Sequence, residues 1–170
     1  MAIELTPASR EEQPILANLL ELYAHDFSEL KPLRLGDDGR FGYEHLPLYW
    51  QDDNRFPFLV RNGGLAGFVL VKRGSEVSAD AAVWDMAEMF VVRGQRRRGV
   101  ATAVAHEVWR RFPGPWEVRV MEVNVPAISF WARAIAGFVG REIAPSRVER
   151  PGKAWKVFSF ESDVAQPPAR

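Results

Sequence analysis

The chain has 170 residues, of which 47% are hydrophobic and 26% charged, a composition typical of one globular domain with its own core. It has no cysteine, which excludes disulfides, thiolate catalysis and cysteine-based metal sites. The three histidines lie far apart, so we expect no metal. No apolar run approaches the ~20 residues of a membrane span, and the first residues lack a secretion-signal pattern. We therefore expect a cytoplasmic protein that does not bind membranes.

The net charge is zero, but the two signs are unevenly distributed along the chain. Residues 1–60 carry five Lys or Arg against eleven Asp or Glu, a net charge of −6. Residues 61–170 carry seventeen against eleven, a net charge of +6. This segregation favours two ligands of opposite charge over a single ligand. The alternative is a chance distribution over a solvated surface.

The N-terminal third is predicted to contain a strand, a helix and a long irregular segment. The first strand is predicted at residues 2–5. Apolar residues recur at helical spacing between Ile15 and Tyr23, which predicts an amphipathic helix. Residues 24–55 are acidic, aromatic and interrupted by glycine and proline, with a short helix predicted at 46–50. Loops of this length are usually functional or disordered, and the aromatic residues favour a packed structure.

The middle of the chain is predicted to form three strands and a helix. Strands at 56–61 and 65–73 flank Asn62-Gly63-Gly64, a strong hairpin turn signal. A further strand is predicted at 84–92. Valines at helical spacing then predict a helix from 100 to 112, which ends before a Pro-Gly-Pro sequence.

The C-terminal third is predicted to add three more strands and a helix. Residues 116–123 alternate apolar and polar side chains, as a strand does. Pro126 suits the first turn of a helix reaching about Ala136, with Gly137 as its C-cap. A last strand pair is predicted at 138–143 and 154–161. This order indicates a mixed α/β fold with hairpins rather than a doubly wound parallel sheet.

A basic, glycine-containing turn joins the strand at 84–92 to the helix that follows it. The first N–H groups of a helix have no internal partner, and its dipole places roughly half a positive charge there. Gly99 allows a ligand to approach the backbone closely, and the arginines at 96–98 add positive charge. The pattern predicts a phosphate or pyrophosphate site. It matches neither a Walker loop nor a Rossmann fingerprint.

Three sequence segments resemble the GNAT superfamily of N-acetyltransferases. Arg96-Arg97-Arg98-Gly99-Val100-Ala101 is similar to the family's pyrophosphate motif, Arg/Gln-x-x-Gly-x-Gly/Ala. Residues 87–91 resemble the acidic-hydrophobic strand that precedes that motif in the family. Residues 124–131, followed by Ala136-Gly137-Phe138, resemble the Asn-x-x-Ala…Gly-Phe signature. The order and spacing of the segments agree with the family over about residues 56 to 140.

The resemblance implies an α/β fold with a central mixed β-sheet of about six to seven strands, splayed middle strands and about four flanking helices. We expect one domain over 1–170. Within it we distinguish an N-terminal helical and acceptor-side part (1–55), an acetyl-CoA-binding core (56–138), C-terminal strands (139–161) and a tail (162–170).

The resemblance also implies that acetyl-CoA is the co-substrate, with its pyrophosphate on the N–H groups of the basic turn. The alternatives are a solvated basic turn and a nucleic-acid surface, and the zero net charge disfavours the second. Asn124 could contact the cofactor, cap the following helix, or do both. The expected cofactor-binding residues are Phe90, Val91, Arg96, Arg97, Arg98, Gly99, Val100, Ala101, Thr102, Asn124 and Trp131.

Glu88 lies inside an otherwise apolar strand, where a carboxylate is costly unless it is paired or useful. Acetyl transfer requires a neutral amine, whereas an alkylamine of pKa about 10.4 is protonated at pH 7. Family enzymes often place a carboxylate on this strand as general base, so we expect Glu88 to have that role, directly or through water. The alternative is a solvent-facing or arginine-paired structural glutamate.

One position departs from the family. Trp131 stands where many members carry a tyrosine that protonates the leaving thiolate, and indole cannot act as an acid at pH 7. Water, the proton of the amine, Tyr43 or Tyr49 could supply that proton, and Trp131 could instead pack along the pantetheine arm. The departure keeps a second function open, an acyl-CoA sensor with little or no turnover. It also leaves open a different acyl donor.

The acceptor is expected to be a primary amine bound by the acidic N-terminal part of the chain. Its carboxylates and aromatic rings would suit a cationic amine. The expected acceptor residues are Asp26, Tyr49 and Trp50. His25 could act together with Asp26 as a general base for the acceptor, or cap the preceding helix. Acetyl-CoA and an amine are therefore the expected partners, nucleic acid is not, and family members are often dimers, which is compatible with a homodimer.

Overall fold

The computed structural model describes residues 2–163, so most of the predicted tail, 164–170, lies outside the described residues. The described residues form seven strands, three α-helices and three short 3₁₀ helices. The strands are β1 (Glu4–Pro7), β2 (Arg55–Arg61), β3 (Leu65–Arg73), β4 (Trp84–Val91), β5 (Gly114–Met121), β6 (Ser146–Arg150) and β7 (Lys153–Ser162). The α-helices are α1 (Gln13–Phe27), α2 (Val100–Arg111) and α3 (Val125–Val139), and the 3₁₀ helices are Arg10–Glu12, Leu46–Trp50 and Arg93–Gln95.

The strands form one mixed sheet in the order β1-β2-β3-β4-β5-β7-β6. The β1–β2, β5–β7 and β6–β7 pairs are antiparallel, and β4–β5 is parallel. The ladder between β4 and β5 covers only two residue pairs, Trp84 with Trp116 and Asp85 with Glu117. The ladder between β5 and β7, in contrast, covers the whole of Gly114–Met121. The predicted fold class and splayed middle strands are confirmed, and the predicted fourth helix is the 3₁₀ helix at Leu46–Trp50.

The chain divides into two compact units. The first comprises Met1–Leu70 and Glu88–Ala101 and so contains α1, β1, β2, most of β3 and the end of β4. Its core includes Leu16 and Leu20 of α1 and Phe68 of β3, all buried. Burial of an aliphatic or aromatic side chain of this size contributes about 1.5–3 kcal/mol. The apolar spacing of α1 therefore specifies the face of this helix that is buried.

Within the first unit, β3 and β4 approach each other unusually closely at Gly67. A Cβ atom added to Gly67 would lie 2.0 Å from the carbonyl oxygen of Phe90. The Val92 N–H donates to the Ala66 carbonyl at 2.9 Å on the same side of the strand. Only glycine fits at position 67 without a shift of the backbone, so this residue fixes the position of the last residues of β4.

The second unit comprises Val71–Ala87 and Thr102–Arg170 and has an aromatic core. Trp109 of α2 is fully buried, with its ring centroid 5.0 Å from that of Phe160 and 5.1 Å from that of Phe138. A partly buried ion pair lies where the β4–β5 ladder stops: Arg119 donates to the buried carboxylate of Asp85 at 2.8 Å. Burial raises the pKa of Asp85, and the positive charge of Arg119 opposes that shift.

The predicted end of the last helix and the strand predicted directly after it were wrong. Helix α3 continues to Val139, and Gly140, with φ of +75°, is its C-cap. Gly137 lies inside the helix, because the apolar pattern continues through Phe138 and Val139. The strand predicted at 138–143 is therefore absent, and β6 begins at Ser146, after Pro145. The predicted strand at 154–161 is confirmed within β7.

Candidate active site

The basic turn follows the end of β4 in the first unit. A 3₁₀ turn at Arg93–Gln95 leads through Arg96 to Gly99, and α2 begins at Val100. Arg97 has φ of +62° and Gly99 has φ of +76°, both in the left-handed region. Gly99 adopts this conformation at little cost, whereas most residues with a side chain do not. The turn thus ends at the first turn of α2, which also contains Thr102. The N–H groups of a first helical turn have no partner within the helix, as an anion site requires.

Arg96 holds the turn in place through its side-chain hydrogen bonds. Its Nε donates to the carbonyl of Val91 at 2.7 Å, and its guanidinium donates to Asp26 at 2.6 Å. The guanidinium also lies 5.5 Å from the ring centroid of Phe90. Arg97 and Arg98 are exposed and make no ion pair within residues 2–163. The three arginines of the motif are therefore not equivalent, and two of them present their charge to solvent.

Asp26, predicted to bind the acceptor, is paired with two arginines. It accepts from Arg93 at 2.8 Å and from Arg96 at 2.6 Å. Burial acts to raise the pKa of Asp26, but the hydrogen bonds from Arg93 and Arg96 hold it below its ordinary value. The carboxylate therefore remains ionised at neutral pH and joins the last turn of α1 to the basic turn. Its role towards an acceptor stays a prediction.

Glu88 is half-buried on β4 and accepts hydrogen bonds from two tyrosines. The Tyr23 hydroxyl donates to Oε2 at 2.5 Å, and the Tyr43 hydroxyl donates to Oε1 at 3.3 Å. Burial and the nearby charge of Glu88 raise the pKa of Tyr43. Tyr23 was not among the residues predicted for the site. Its position in the apolar stripe of α1 was the available signal, since a buried tyrosine usually directs its hydroxyl to a polar partner.

The two aromatic residues predicted to bind the acceptor have packing contacts in the first unit. Tyr49 is buried, at 3% exposure, and the Arg55 guanidinium lies 5.4 Å from its ring centroid. The Trp50 indole N–H donates to the Ala8 carbonyl at 3.0 Å. The Leu46–Trp50 turn is thereby joined to the end of β1. Contact of either ring with an acceptor stays a prediction.

A cavity of about 360 Å³ lies in the first unit beside the last turn of α1 and the end of β4. It combines apolar side chains with acidic, basic and imidazole groups. Its lining consists of Leu22, His25, Asp26, Glu29, Phe90, Val92 and Arg93. Glu29, which is exposed, and Phe90, one of the predicted cofactor residues, therefore line the same cavity.

The remaining predicted cofactor residues lie in the second unit. The Asn124 side chain accepts from the Ala127 N–H at 3.3 Å, which confirms its predicted alternative as the N-cap of α3. Trp131 is 9% exposed, and its ring centroid lies 6.2 Å from that of Trp109. Cofactor contact by either residue stays a prediction. Residues 2–163 contain no cluster of three metal-ligating side chains and no helix long and apolar enough to span a membrane.

Solved structures of acetyltransferases share this fold. An acetyltransferase from Thermus thermophilus superposes with a TM-score of 0.70 at 15% identity, over 95% of this chain and 97% of that chain. Arabidopsis thaliana NAA60 in complex with acetyl-CoA gives 0.62 at 19% identity, over 94% and 98%. The ribosomal-protein-S18-alanine N-acetyltransferase from Escherichia coli gives 0.65 at 10% identity, over 99% of both. At these identities the likeness shows the fold alone.

No curated protein matches the chain by sequence. The model of the acetyltransferase (GNAT) family, in contrast, matches residues 16–138, which include most of α1, β4, the basic turn and the Asn124 cap. The match covers well over half of the chain and agrees with the geometry of the turn. The chain therefore belongs to the acetyltransferase (GNAT) family and is an acyltransferase of the N-acetyltransferase type.

Proposed function

We propose that this protein transfers the acetyl group of acetyl-CoA directly to a primary amine, with Glu88 as the general base. The observation that carries the proposal is the placement of a hydrogen-bonded carboxylate, Glu88, on the strand that leads directly into the basic turn. The family supplies acyl-CoA-dependent transfer as the reaction class. The structure of the first unit supports a specific base and a specific phosphate site for that reaction.

The phosphate site consists of the turn at 96–101 and the first turn of α2. Backbone N–H groups at a helix N-terminus bind anions without the entropic cost of ordering side chains. Arg97 and Arg98 add charge, each exposed contact contributing about 1 kcal/mol or less. Arg96 contributes indirectly, because its hydrogen bonds to Val91 and Asp26 hold the turn in this conformation.

Glu88 would remove a proton from the acceptor amine, directly or through water. Deprotonating an alkylamine of pKa about 10.4 at pH 7 costs about 4–5 kcal/mol, and a positioned base contributes about 10²–10⁴-fold in rate. The neutral nitrogen then attacks the thioester carbonyl carbon. A C–N bond forms, the C–S bond breaks, and coenzyme A leaves as its thiolate. The proton that the nitrogen loses on becoming an amide passes to that thiolate, directly or through water.

The negative charge that develops on the carbonyl oxygen requires a hydrogen-bond donor. Of the two predicted cofactor residues at the end of β4, Phe90 and Val91, the backbone N–H of Val91 is the better candidate. N–H groups alternate sides along a strand. The Val92 N–H donates to the Ala66 carbonyl of β3. Alternation therefore predicts that the N–H of Phe90 also faces β3 and that the N–H of Val91 faces away from it. An N–H group that the β3 ladder does not use can serve as an oxyanion donor.

We propose a cationic amine as the acceptor. The N-terminal part carries a net charge of −6 over residues 1–60. Asp26 is paired with Arg93 and Arg96, so Glu29 is the other carboxylate of the cavity that a cationic group could contact. The name of the Escherichia coli neighbour specifies a protein α-amine, and an alanine N-terminal peptide therefore belongs in the acceptor panel together with a diamine.

Trp131 favours a second candidate function, an acyl-CoA-binding protein with little turnover. Its indole replaces the tyrosine that protonates the leaving thiolate in many family members, and it is buried in the second unit. Because coenzyme A is a fairly acidic thiol, the thiolate can leave without an acid. The two candidates share cofactor binding and differ only in turnover.

The experiment that tests the proposal has a binding stage and a turnover stage. Unfolding is first measured with and without acetyl-CoA, where a ligand at about 100 times its Kd should add about 2.7 kcal/mol of stability. Release of the CoA thiol is then followed with a panel of amines for the wild type and for Glu88→Gln. We expect binding by both proteins and a loss of turnover of about 10²-fold or more in the variant.

Each outcome separates the candidates. No stabilisation by any acyl-CoA would show that the turn is not a phosphate site, and stabilisation without turnover by any amine would favour the sensor. The double variant Arg97→Ala/Arg98→Ala should weaken binding. Arg133→Ala, at an exposed arginine of α3, is the matched control and should bind as the wild type does.

A further inference from the structure

Two tyrosines from different parts of the first unit meet on one carboxylate. Tyr23 of α1 donates to one oxygen of Glu88, and Tyr43 of the irregular segment donates to the other. Hydrogen bonds to both oxygens restrict rotation of the carboxylate plane. An ionised carboxylate offers about four acceptor positions, which two hydroxyl donors alone do not fill. The two hydroxyls therefore orient Glu88 without by themselves occupying all of its acceptor positions.

Tyr23 is held by aromatic packing. Its ring centroid lies 5.3 Å from Phe27, 5.9 Å from Phe68 and 6.0 Å from Phe90, and the last two pairs have edge-on geometry. Such aromatic pairs contribute about 0.5–1.5 kcal/mol beyond burial. The hydroxyl is thus presented to Glu88 by a ring with little freedom to move.

Tyr43 is held through the backbone that precedes it. The Glu21 carboxylate accepts from the N–H of Phe41 at 2.7 Å and from the N–H of Gly42 at 2.9 Å. Gly42 has φ of +71°, a conformation that favours glycine. A single carboxylate on α1 therefore fixes two consecutive peptide units directly before Tyr43.

We infer that Tyr23 and Tyr43 are positioning residues for Glu88 in the acetyl transfer, and that Glu21 acts on the same group through Tyr43. The inference rests on the proposed function, in which Glu88 is the base. A base must lie within hydrogen-bonding distance of the proton it removes, and a displacement of about 1 Å can cost 10²-fold in rate. The hydroxyls of Tyr23 and Tyr43, which lie outside β4, hold the Glu88 carboxylate in position.

If the same tyrosines had only a structural role, their effects would multiply with that of Glu88→Gln. A double-mutant cycle therefore separates a structural role from a positioning role. Tyr23→Phe and Tyr43→Phe are made alone and in the Glu88→Gln background. We expect each single variant to lower kcat at least about tenfold, with the Kd for acetyl-CoA unchanged. In the Glu88→Gln background we expect no further loss, because the group to be positioned is no longer a base.

Glu21 is tested by a conservative pair of variants. Glu21→Ala removes both acceptors and should lower kcat, whereas Glu21→Gln keeps one oxygen acceptor and should restore part of the loss. Ser28→Ala, which removes an exposed hydroxyl just after α1, is the matched control and should leave kcat unchanged. The melting temperature and its rise with acetyl-CoA confirm that each variant is folded.

Three outcomes would overturn the inference. The tyrosine variants could retain full kcat, their effects could simply multiply with that of Glu88→Gln, or Glu88→Gln could itself be fully active. In each case turnover by the wild type would leave acetyl transfer itself intact. Absence of turnover by the wild type with every amine is a separate result, which would refute the proposed function and the positioning role together.

Discussion

The guanidinium of Arg96 donates a 2.6 Å hydrogen bond to the carboxylate of Asp26, which lies 70 positions earlier in the chain. The same carboxylate accepts from Arg93 at 2.8 Å. Because Arg96 also donates to the carbonyl of Val91, one carboxylate and one guanidinium connect the end of α1, the end of β4 and the basic turn. The conformation of the anion site thus depends on a residue outside its sequence motif.

Replacement of Asp26 should destabilise the protein in a pH-dependent manner. The folded pKa of Asp26 is lowered, so its contribution is complete above its unfolded value near 3.9 and is lost as the pH falls through the folded pKa. Asp26→Asn should cost about 1 kcal/mol of unfolding free energy at pH 7, as measured in urea. The difference from the wild type should shrink below about pH 4. Asp53→Asn, at an exposed carboxylate, should have no comparable effect.

Gly67→Ala should destabilise the first unit. The new Cβ would lie 2.0 Å from the Phe90 carbonyl oxygen, so the backbone of β3 or β4 must shift, at a cost of about 1–3 kcal/mol. Gly64→Ala is the matched control, since a Cβ there meets no atom within 4 Å and φ is not positive. Equal stability of the two variants in urea unfolding would contradict the close approach of β3 and β4.

The arginines of the basic turn should separate into two classes. Arg96→Ala should lower the melting temperature without any ligand, because it removes the hydrogen bonds to Val91 and Asp26. Arg97→Ala and Arg98→Ala should leave that temperature unchanged and instead weaken acetyl-CoA binding, more strongly at low salt than at high salt. Thermal unfolding with and without acetyl-CoA at two ionic strengths measures both effects. Uniform behaviour of the three variants would contradict the assignment.

Two substitutions of Asn124 should separate its role as a helix cap from a contact with the cofactor. Asn124→Ala removes the acceptor for the Ala127 N–H and should cost about 1 kcal/mol of stability, whereas Asn124→Ser keeps a capping oxygen and should cost less. If Asn124 also contacts acetyl-CoA, both variants should raise its Kd. If the Kd for acetyl-CoA changes no more than the loss of stability of each variant accounts for, the role of Asn124 is limited to capping.

Most of the strand and helix pattern before α3 was predictable from the sequence because it depends on local signals, whereas β6 was not predicted. The Asn62-Gly63-Gly64 turn lies between β2 and β3 as predicted, and the basic turn begins and ends where its motif indicates. The end of α3 was not predictable in this way. Gly137 and Gly140 are both plausible caps by residue type, and only the packing of the intervening apolar residues decides that the second one ends the helix.

The contacts of the candidate site were less predictable because they join distant parts of the chain. Glu88 stood out as a charge in an apolar strand, but its partner Tyr23 lies 65 positions away and looks like an ordinary core residue of α1. Asp26 was expected to face an amine, and no spacing rule reveals its pairing with Arg93 and Arg96. Such pairs become visible only when the helix and the strand are placed together.

Three residues within six positions of α1 each hold a different segment. Glu21 binds the peptide units of Phe41 and Gly42, Tyr23 binds Glu88, and Asp26 binds the arginines of the turn. Insertion or deletion of one residue earlier in α1 would rotate all three side chains by roughly 100° about the helix axis. All three attachments would then fail together. The length of this helix is therefore more tightly constrained than the identity of its exposed residues.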